Sequence, residues 1–265
     1  MLILLPPSEG KATAGDGPKL DLSALSLAEV TEARETVLDA LERVCSGPVD
    51  AAREVLGLSE RQVDTVQRDL EVRIAPTLRA ADLYTGVLYD HLRLPDLLAS
   101  GAAARTQASV LIFSGLWGAV GVTDPLPPYR LSMGIKLPPL GALGTFWKSQ
   151  LSGVLAARAE GRLIVDCRSA AYATAFVPTG EATESAVSVR VLRETTSGGV
   201  TKRSVVSHMA KATRGAIAHT LLAEGVDAHT PRELADALND LGHVAELAAP
   251  ARGKRPATLD IVVRA

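Results

Sequence analysis

Unbroken apolar runs open and punctuate the chain. Leu2-Ile3-Leu4-Leu5 is rich in strand formers and is stopped by Pro6-Pro7, so it reads as a first buried strand. Ser109-Val110-Leu111-Ile112-Phe113 is ended by Ser114-Gly115, and Leu163-Ile164-Val165-Asp166 has the same character. Both predict buried strands feeding turns. Helical spacing dominates between the first two runs. Leu27, Val30, Ala33, Val37, Leu38 and Leu41 recur along one face from Ser26 to about Val44, and Gly47-Pro48 stops the pattern. Further helices are predicted over 49–56, from the N-cap Ser59 to about Val72, and over 95–104. Residues 121–141 are proline-rich loop around an extended piece, Tyr129 to Leu137, and a helix follows from Leu143 to Ala157. Val187–Leu192 and Val200–Val206 form a predicted hairpin turning at Ser197-Gly198-Gly199. Helices are predicted over Ser207–Ala223 and after Thr230-Pro231, with Thr230 as N-cap and Pro231 at the first position. Strands at about 243–247 and 258–263 close the chain around a Pro/Gly/Arg loop.

Strands and helices do not alternate strictly. The expected fold is therefore α/β with an α+β flavour: a mixed sheet wrapped by helices rather than a doubly wound one. At 265 residues the chain is long enough for one substantial core, read here as a single domain over 1–265 with an acidic helical lobe at about 26–80. Aromatics are only 3% of the chain, so alanine and leucine must fill that core. No apolar run reaches the length of a membrane span, and the first seven residues are too short and lack the basic flank of a signal peptide. Cys45 and Cys167 stand far apart, which excludes a disulfide scaffold and a zinc ribbon and fits a reducing cytoplasm. The histidines, His91, His208, His219, His229 and His243, include no pair at helical metal-site spacing, so no metal is expected. There is no Gly-x-Gly-x-x-Gly and no Walker loop, and no cofactor is expected.

The net charge of −2 argues against a general nucleic-acid binder, but it is unevenly spread. Residues 1–80 hold 9 Lys/Arg against 14 Asp/Glu, whereas residues 105–215 hold 13 against 6. A positive middle can bind an anion locally without raising the overall pI. It also describes arginines scattered over a solvated surface.

Four segments carry candidate chemistry. Pro6-Pro7-Ser8-Glu9-Gly10-Lys11 places a hydroxyl, a carboxylate and an ammonium on a glycine loop at a strand end; Lys11 can hold phosphate or act as a base, and Glu9 can hold Lys11 or move protons. In Ser114-Gly115-Leu116-Trp117-Gly118, Gly115 and Gly118 allow a close backbone approach. Such a turn binds phosphate if it opens a helix, or simply packs tightly. Along Tyr129–Lys136, alternation puts Arg130, Ser132 and Gly134 opposite Tyr129, Leu131, Met133 and Ile135. Arg130 then either clamps an anion or pairs with Asp124 or Asp166. In Ser207-His208-Met209-Ala210-Lys211-Ala212-Thr213-Arg214-Gly215, His208, Lys211 and Gly215 share a helical face with Arg214 beside it. Cations near a helix N-terminus oppose the dipole, which favours an anionic partner.

Taken in order, Leu4-Leu5-Pro6-Pro7-Ser8-Glu9-Gly10-Lys11, Tyr84-Thr85-Gly86-Val87-Leu88-Tyr89, Ser114-Gly115-Leu116-Trp117-Gly118, Asp124 with Pro128–Gly134, Phe146-Trp147, Ser169-Ala170-Ala171-Tyr172 and Ser207–Gly215 resemble the successive motifs of the YaaA family of peroxide-stress proteins. The resemblance runs from residue 1 to about 216. It implies a cytoplasmic protein with a mixed α/β fold, a positively charged cleft and a helix-hairpin-helix-like element. It also implies binding of double-stranded DNA and protection under hydrogen peroxide linked to lower free iron. By motif position the hairpin maps to Ser114–Gly118 and the cleft gathers Ser8, Lys11, Arg130, Lys211 and Arg214. The hairpin lacks the basic residue often found after its second glycine, because Ala119-Val120 follows Gly118. Two partners stay open: duplex DNA, or a small phosphorylated or nucleotide-like anion. In the second case the chain is an enzyme in which Arg130 and Arg214 hold the anion, Lys11 or Lys211 is nucleophile or base, and Glu9 or His208 moves protons. Direct iron binding finds no ligand cluster in the sequence. The oligomeric state stays open.

Overall fold

The computed structural model describes residues 1–197, 200–205, 207–248 and 256–264. Its strands are β1 (Leu2–Leu5), β2 (Leu78–Arg79), β3 (Val110–Ser114), β4 (Gly118–Gly121), β5 (Pro125–Leu126), β6 (Lys136–Leu137), β7 (Gly141–Ala142), β8 (Ile164–Asp166), β9 (Ala186–Ser197), β10 (Val200–Val205), β11 (Ala245–Leu247) and β12 (Ala257–Arg264). The main sheet has the order β11-β12-β9-β8-β1-β3-β4, with β10 on the far part of β9. The five central strands, β12-β9-β8-β1-β3, pair in parallel, and β4, β10 and β11 add antiparallel partners. The expected mixed sheet is present, and it is mostly parallel.

The reason lies in the apolar runs. A strand buried on both faces has no polar side to show, and β1, β3 and most of β8 are buried along their length. Parallel neighbours need long crossovers, which the helices supply. β1 leads through the helical segment Thr31–Cys45 to Ala103–Ser109 before β3 forms on one side of it, and the helix Leu143–Ala159 precedes β8 on the other side. The chain thus leaves the central strand first to one flank and later to the other. This is the topology that opens a crevice at the carboxyl ends of the strands.

The helices between residues 26 and 80 follow the sequence pattern with sharper ends. The first helix spans Thr31–Cys45, behind a 3-10 turn at Ala28–Val30, and the second spans Val49–Leu56 as expected. Ser59 does begin the next segment, closing a capping box with Gln62, but helix resumes only at Asp64–Leu70. The segment 95–104 is two helices, Leu94–Leu98 and Ala103–Ser109. Thr230 caps Pro231–Asp240 through the Glu233 N–H. The antiparallel β9–β10 pairing is present, while the turn glycines Gly198-Gly199 and the loop 249–255 lie outside the described residues.

The helix-hairpin-helix-like turn expected at Ser114–Gly118 is corrected by the structure: strands flank it on both sides. β3 and β4 pair antiparallel with Ser114 opposite Gly118, and residues 114–121 are all buried. The two glycines are there for close approach. A Cβ on Gly115 would stand 2.5 Å from the Leu131 carbonyl oxygen, and one on Gly118, at φ 73°, would stand 2.6 Å from the Trp147 ring. The Leu116 and Trp117 N–H groups are taken by Ser114 Oγ at 3.1 and 3.0 Å, so they do not face a phosphate. A pair of short helices joined through a left-handed glycine occurs elsewhere, at Val49–Leu56 and Asp64–Leu70, with Gly57 at φ 63°.

Gly118→Ala forces both a positive φ on a residue with a Cβ and a clash with a fully buried indole. Its expected effect is a loss of about 3 kcal/mol of unfolding free energy. Gly101→Ala meets nothing within 4 Å and is expected to stay within about 0.5 kcal/mol of the parent. Urea denaturation of the two variants checks both values.

Candidate functional site

The loop after β1 carries the site. It is fixed by the segment after the short helix Ala80–Leu83: Ala12 N–H donates to the Leu83 carbonyl at 2.9 Å, Thr85 N–H to the Gly10 carbonyl at 3.1 Å, and Lys11 bridges to Tyr84. This pins the Lys11 side chain against two rings. Its Nζ lies 4.7 Å from the Tyr129 ring centroid and 5.5 Å from that of Tyr84. It donates to the Ser8 carbonyl at 2.7 Å, so Ser8 contributes its backbone oxygen to the ammonium.

The tyrosines continue inward as a hydrogen-bonded row. Tyr84 Oη is 2.7 Å from Tyr129 Oη, which is 2.6 Å from Ser114 Oγ at the end of β3. Ser114 Oγ already accepts two backbone N–H groups, which uses both its lone pairs. Its own proton must therefore go to Tyr129. Tyr89 stacks on Tyr84 and donates to the Pro6 carbonyl at 2.7 Å. Burial raises the pKa of all three phenols well above the ordinary value, so they stay neutral.

Arg130 stands on the rim. The alternation read from the sequence holds, with Tyr129, Leu131 and Met133 buried and Arg130, Ser132 and Gly134 more exposed. Its partner is neither Asp124 nor Asp166 but Glu9, at 2.8 Å. Asp124 instead accepts from Ser26 and the Gly121 N–H, and Asp166 is held by the buried Arg168. Glu9 therefore does not grip Lys11. Beneath the rim, the buried Asp69 accepts the Arg130 backbone N–H on Oδ1 at 2.8 Å, and its Oδ2 has no hydrogen-bond partner among the described residues. From the end of β8, Tyr172 comes up beside Glu9, Ser132, Met133 and Arg130; burial is the main cause that raises its pKa.

Burial leaves the Lys11 ammonium poorly solvated and, with Arg130 and Arg68 nearby, brings its pKa down to about 8 despite the opposing pull of Glu9 and Asp69. Burial likewise pushes Asp69 up to about 7, against the Arg130 N–H and the Arg68, Lys11 and Arg130 charges. A lysine and a carboxyl group are thus both brought toward neutral pH at one place, a common mark of proton-transfer sites.

Among the expected site residues, the structure brings together Ser8, Glu9, Lys11 and Arg130. Gly115 and Gly118 lie beneath them as packing. Arg214 is turned to the sheet, donating to the Val189 carbonyl at 2.9 Å near Cys167. Lys211 is exposed on the helix Ser207–Ala223, and Gly215 of that helix is buried against the Leu88 carbonyl. The side chains of Ser207 and His208 lie outside the described residues. Sequence reasoning missed Asp69, Ser114, Tyr84, Tyr129 and Tyr172 as site residues. The tyrosines stood within the quoted motifs, but Asp69 carried no local signal at all. Among the described residues no group of three or more His, Cys, Asp or Glu is placed to hold a metal ion, and no helix is long and apolar enough to cross a membrane.

Fold and site together define a class: a mixed α/β protein with a desolvated lysine and a rim arginine at the carboxyl ends of adjacent parallel strands. The chain belongs to the peroxide stress protein YaaA family, whose profile matches residues 1–246. A UPF0246 protein of Streptomyces coelicolor is 50% identical over 99% of this chain and 98% of its own length. One from Corynebacterium efficiens is 39% identical over 99% and 100%, and a Campylobacter jejuni protein is 30% identical over 81% and 82%. The likeness therefore extends beyond residue 216, where the quoted motifs stop.

Asp69 has a pH signature. The folded carboxyl keeps its proton up to about pH 7, while the unfolded one gives it up near the ordinary value of 3.8. Between those limits the folded state binds more protons, so this group lowers stability as pH rises. Asp69→Asn, a neutral mimic, removes that fall. The difference in unfolding free energy between variant and parent is expected to shift in the variant's favour from pH 4 to pH 8, measured by denaturant titration at each pH. A difference flat with pH contradicts the assignment.

Proposed function

We propose that this peroxide stress family member works as an enzyme on a small anionic substrate held in the Lys11 crevice. The observation that carries this reading is the Lys11 amine, kept over the Tyr129 and Tyr84 rings with its one hydrogen bond to Ser8 and with the Arg130 guanidinium on the rim. Non-specific binding to a phosphate backbone has no use for a desolvated lysine beside a carboxyl group that titrates near neutrality. In this reading Arg130 holds the anion, its exposed partner Glu9 giving way. Lys11 acts as base or nucleophile, and Asp69 exchanges the proton. The protection from peroxide and the lower free iron that the resemblance implies then follow from the reaction.

Duplex DNA binding is the second reading. Two observations favour it: the short helix pair joined at Gly57, and the exposed cations Arg193 and Lys202 on the β9–β10 hairpin with Lys211 on the following helix. Much of the positive middle is otherwise engaged. Arg105 and Arg162 donate to backbone carbonyls, and Arg168, Arg190 and Arg203 to carboxylates.

Calorimetric titration with inorganic phosphate and with oxalate tests the first reading. Saturable binding is expected for at least one of them, weakened about tenfold or more by Arg130→Gln. No binding of either, together with duplex affinity that falls steeply with salt and drops in Arg193→Ala/Lys202→Ala, supports the DNA reading instead.

A further inference from the structure

We propose that Lys11 is an imine-forming lysine whose substrate is a small 2-oxo acid, with the carbonyl carbon at Nζ and the carboxylate on Arg130. This rests on the small-anion reading of the same crevice and names its chemistry. Three features of the geometry carry it.

The first is the state of the amine. Lys11 makes no ion pair with a described carboxylate, since Glu9 is committed to Arg130. Among the described residues Nζ has a single hydrogen bond, to Ser8, and otherwise faces aromatic carbon, yet the residue keeps part of its surface open. A lysine that served only to neutralise phosphate would sit at the rim, fully charged and solvated. An amine used as a nucleophile must shed its proton near neutral pH and still be reachable. Its pKa, brought to about 8 mainly by burial, fits that need.

The second is the distribution of cations. Arg130 lies on the rim with its side chain 30% exposed, and it already holds a carboxylate, that of Glu9, which is 61% exposed and free to swing away. An incoming carboxylate can take that place, and the planar guanidinium can grip it through two N–H groups. Lys11 and Arg130 act on each other electrostatically. The substrate that satisfies both has an electrophilic carbon close to a carboxylate, as a 2-oxo acid does.

The third is a proton donor. Asp69 is buried, its Oδ1 is occupied by the Arg130 N–H, and its Oδ2 has no partner among the described residues. Its charge acts on Lys11. Imine formation balances with these groups alone. The neutral amine attacks the carbonyl carbon and the C–N bond forms while the C=O π pair moves to oxygen. One of the two nitrogen protons passes to that oxygen, giving the neutral carbinolamine. Its hydroxyl takes a second proton, from Asp69, and leaves as water, breaking the C–O bond as the nitrogen lone pair closes the C=N bond. The nitrogen proton returns to the Asp69 carboxylate, leaving the neutral imine.

The test uses the full chain with pyruvate and sodium cyanoborohydride at pH 7, followed by intact-mass measurement and peptide mapping. One carboxyethyl group on the Lys11 peptide is expected, saturable in pyruvate. Excess oxalate should suppress it. Arg130→Gln should raise the pyruvate concentration for half-labelling about tenfold. Lys11→Arg, checked for folding by circular dichroism, should carry no adduct, while Lys211→Arg should label like the parent. Labelling spread evenly over the lysines, or unchanged in Lys11→Arg, overturns the proposal. Oxalate binding that needs Arg130 without any Lys11 adduct also overturns it and leaves the anion site standing. If neither oxalate nor phosphate binds and no adduct forms, both readings fall.

Discussion

An ammonium group moved out of water without a carboxylate against it is destabilised, and a chain that keeps one must hold it by other means. At Lys11 those means are one carbonyl from its own loop and two ring faces, and each comes from a different place. Ser8 follows β1, Tyr84 lies in the segment that pins the loop, and Tyr129 belongs to the extended piece under Arg130. The rings are themselves held by Ser114 at the end of β3. Losing the β1–β3 pairing would therefore remove both the lysine and its support.

The sheet order makes this convergence possible. β8, β1 and β3 are parallel neighbours, so the loops that leave their carboxyl ends emerge side by side. Lys11 comes from the loop after β1, Ser114 from the end of β3 and Tyr172 from the segment after β8. The β3–β4 hairpin then fills the space beneath, with Trp147 donating to the Gly115 carbonyl at 2.8 Å and Arg34 donating to the Trp117 and Ala119 carbonyls. Close packing there explains why two glycines with the look of a phosphate turn carry no accessible N–H groups.

Much of the fold was legible in the pattern. The Leu2–Leu5, Val110–Phe113 and Ile164–Asp166 runs are strands because continuous apolar sequence needs two covered faces. The helix Ser207–Ala223 and the Thr230 cap fall where periodicity and capping chemistry place them. Part of the candidate site's grouping was legible as well: the structure brings Ser8, Glu9, Lys11 and Arg130 together. Asp69 was not, because it lies on a short helix among other acids, and only its burial under the Arg130 backbone separates it from them. The positive charge of residues 105–215 was visible as a count, but a count does not say which guanidinium is occupied by a carbonyl or a carboxylate.

Local order along the chain was therefore determined by sequence: which segments are strands, which are helices, where they stop, and that Arg130 faces away from Tyr129 and Leu131. These depend on the period of apolar residues and on turn and cap chemistry, which act over a few positions. The tertiary structure alone decided the partners: Arg130 with Glu9, Arg214 with the sheet, Gly118 against Trp147, and Lys11 over two tyrosines from distant segments. A pKa depends on burial and on every charge within a few ångströms. Those neighbours, tens of residues apart in sequence, meet only when the parallel strands align their ends.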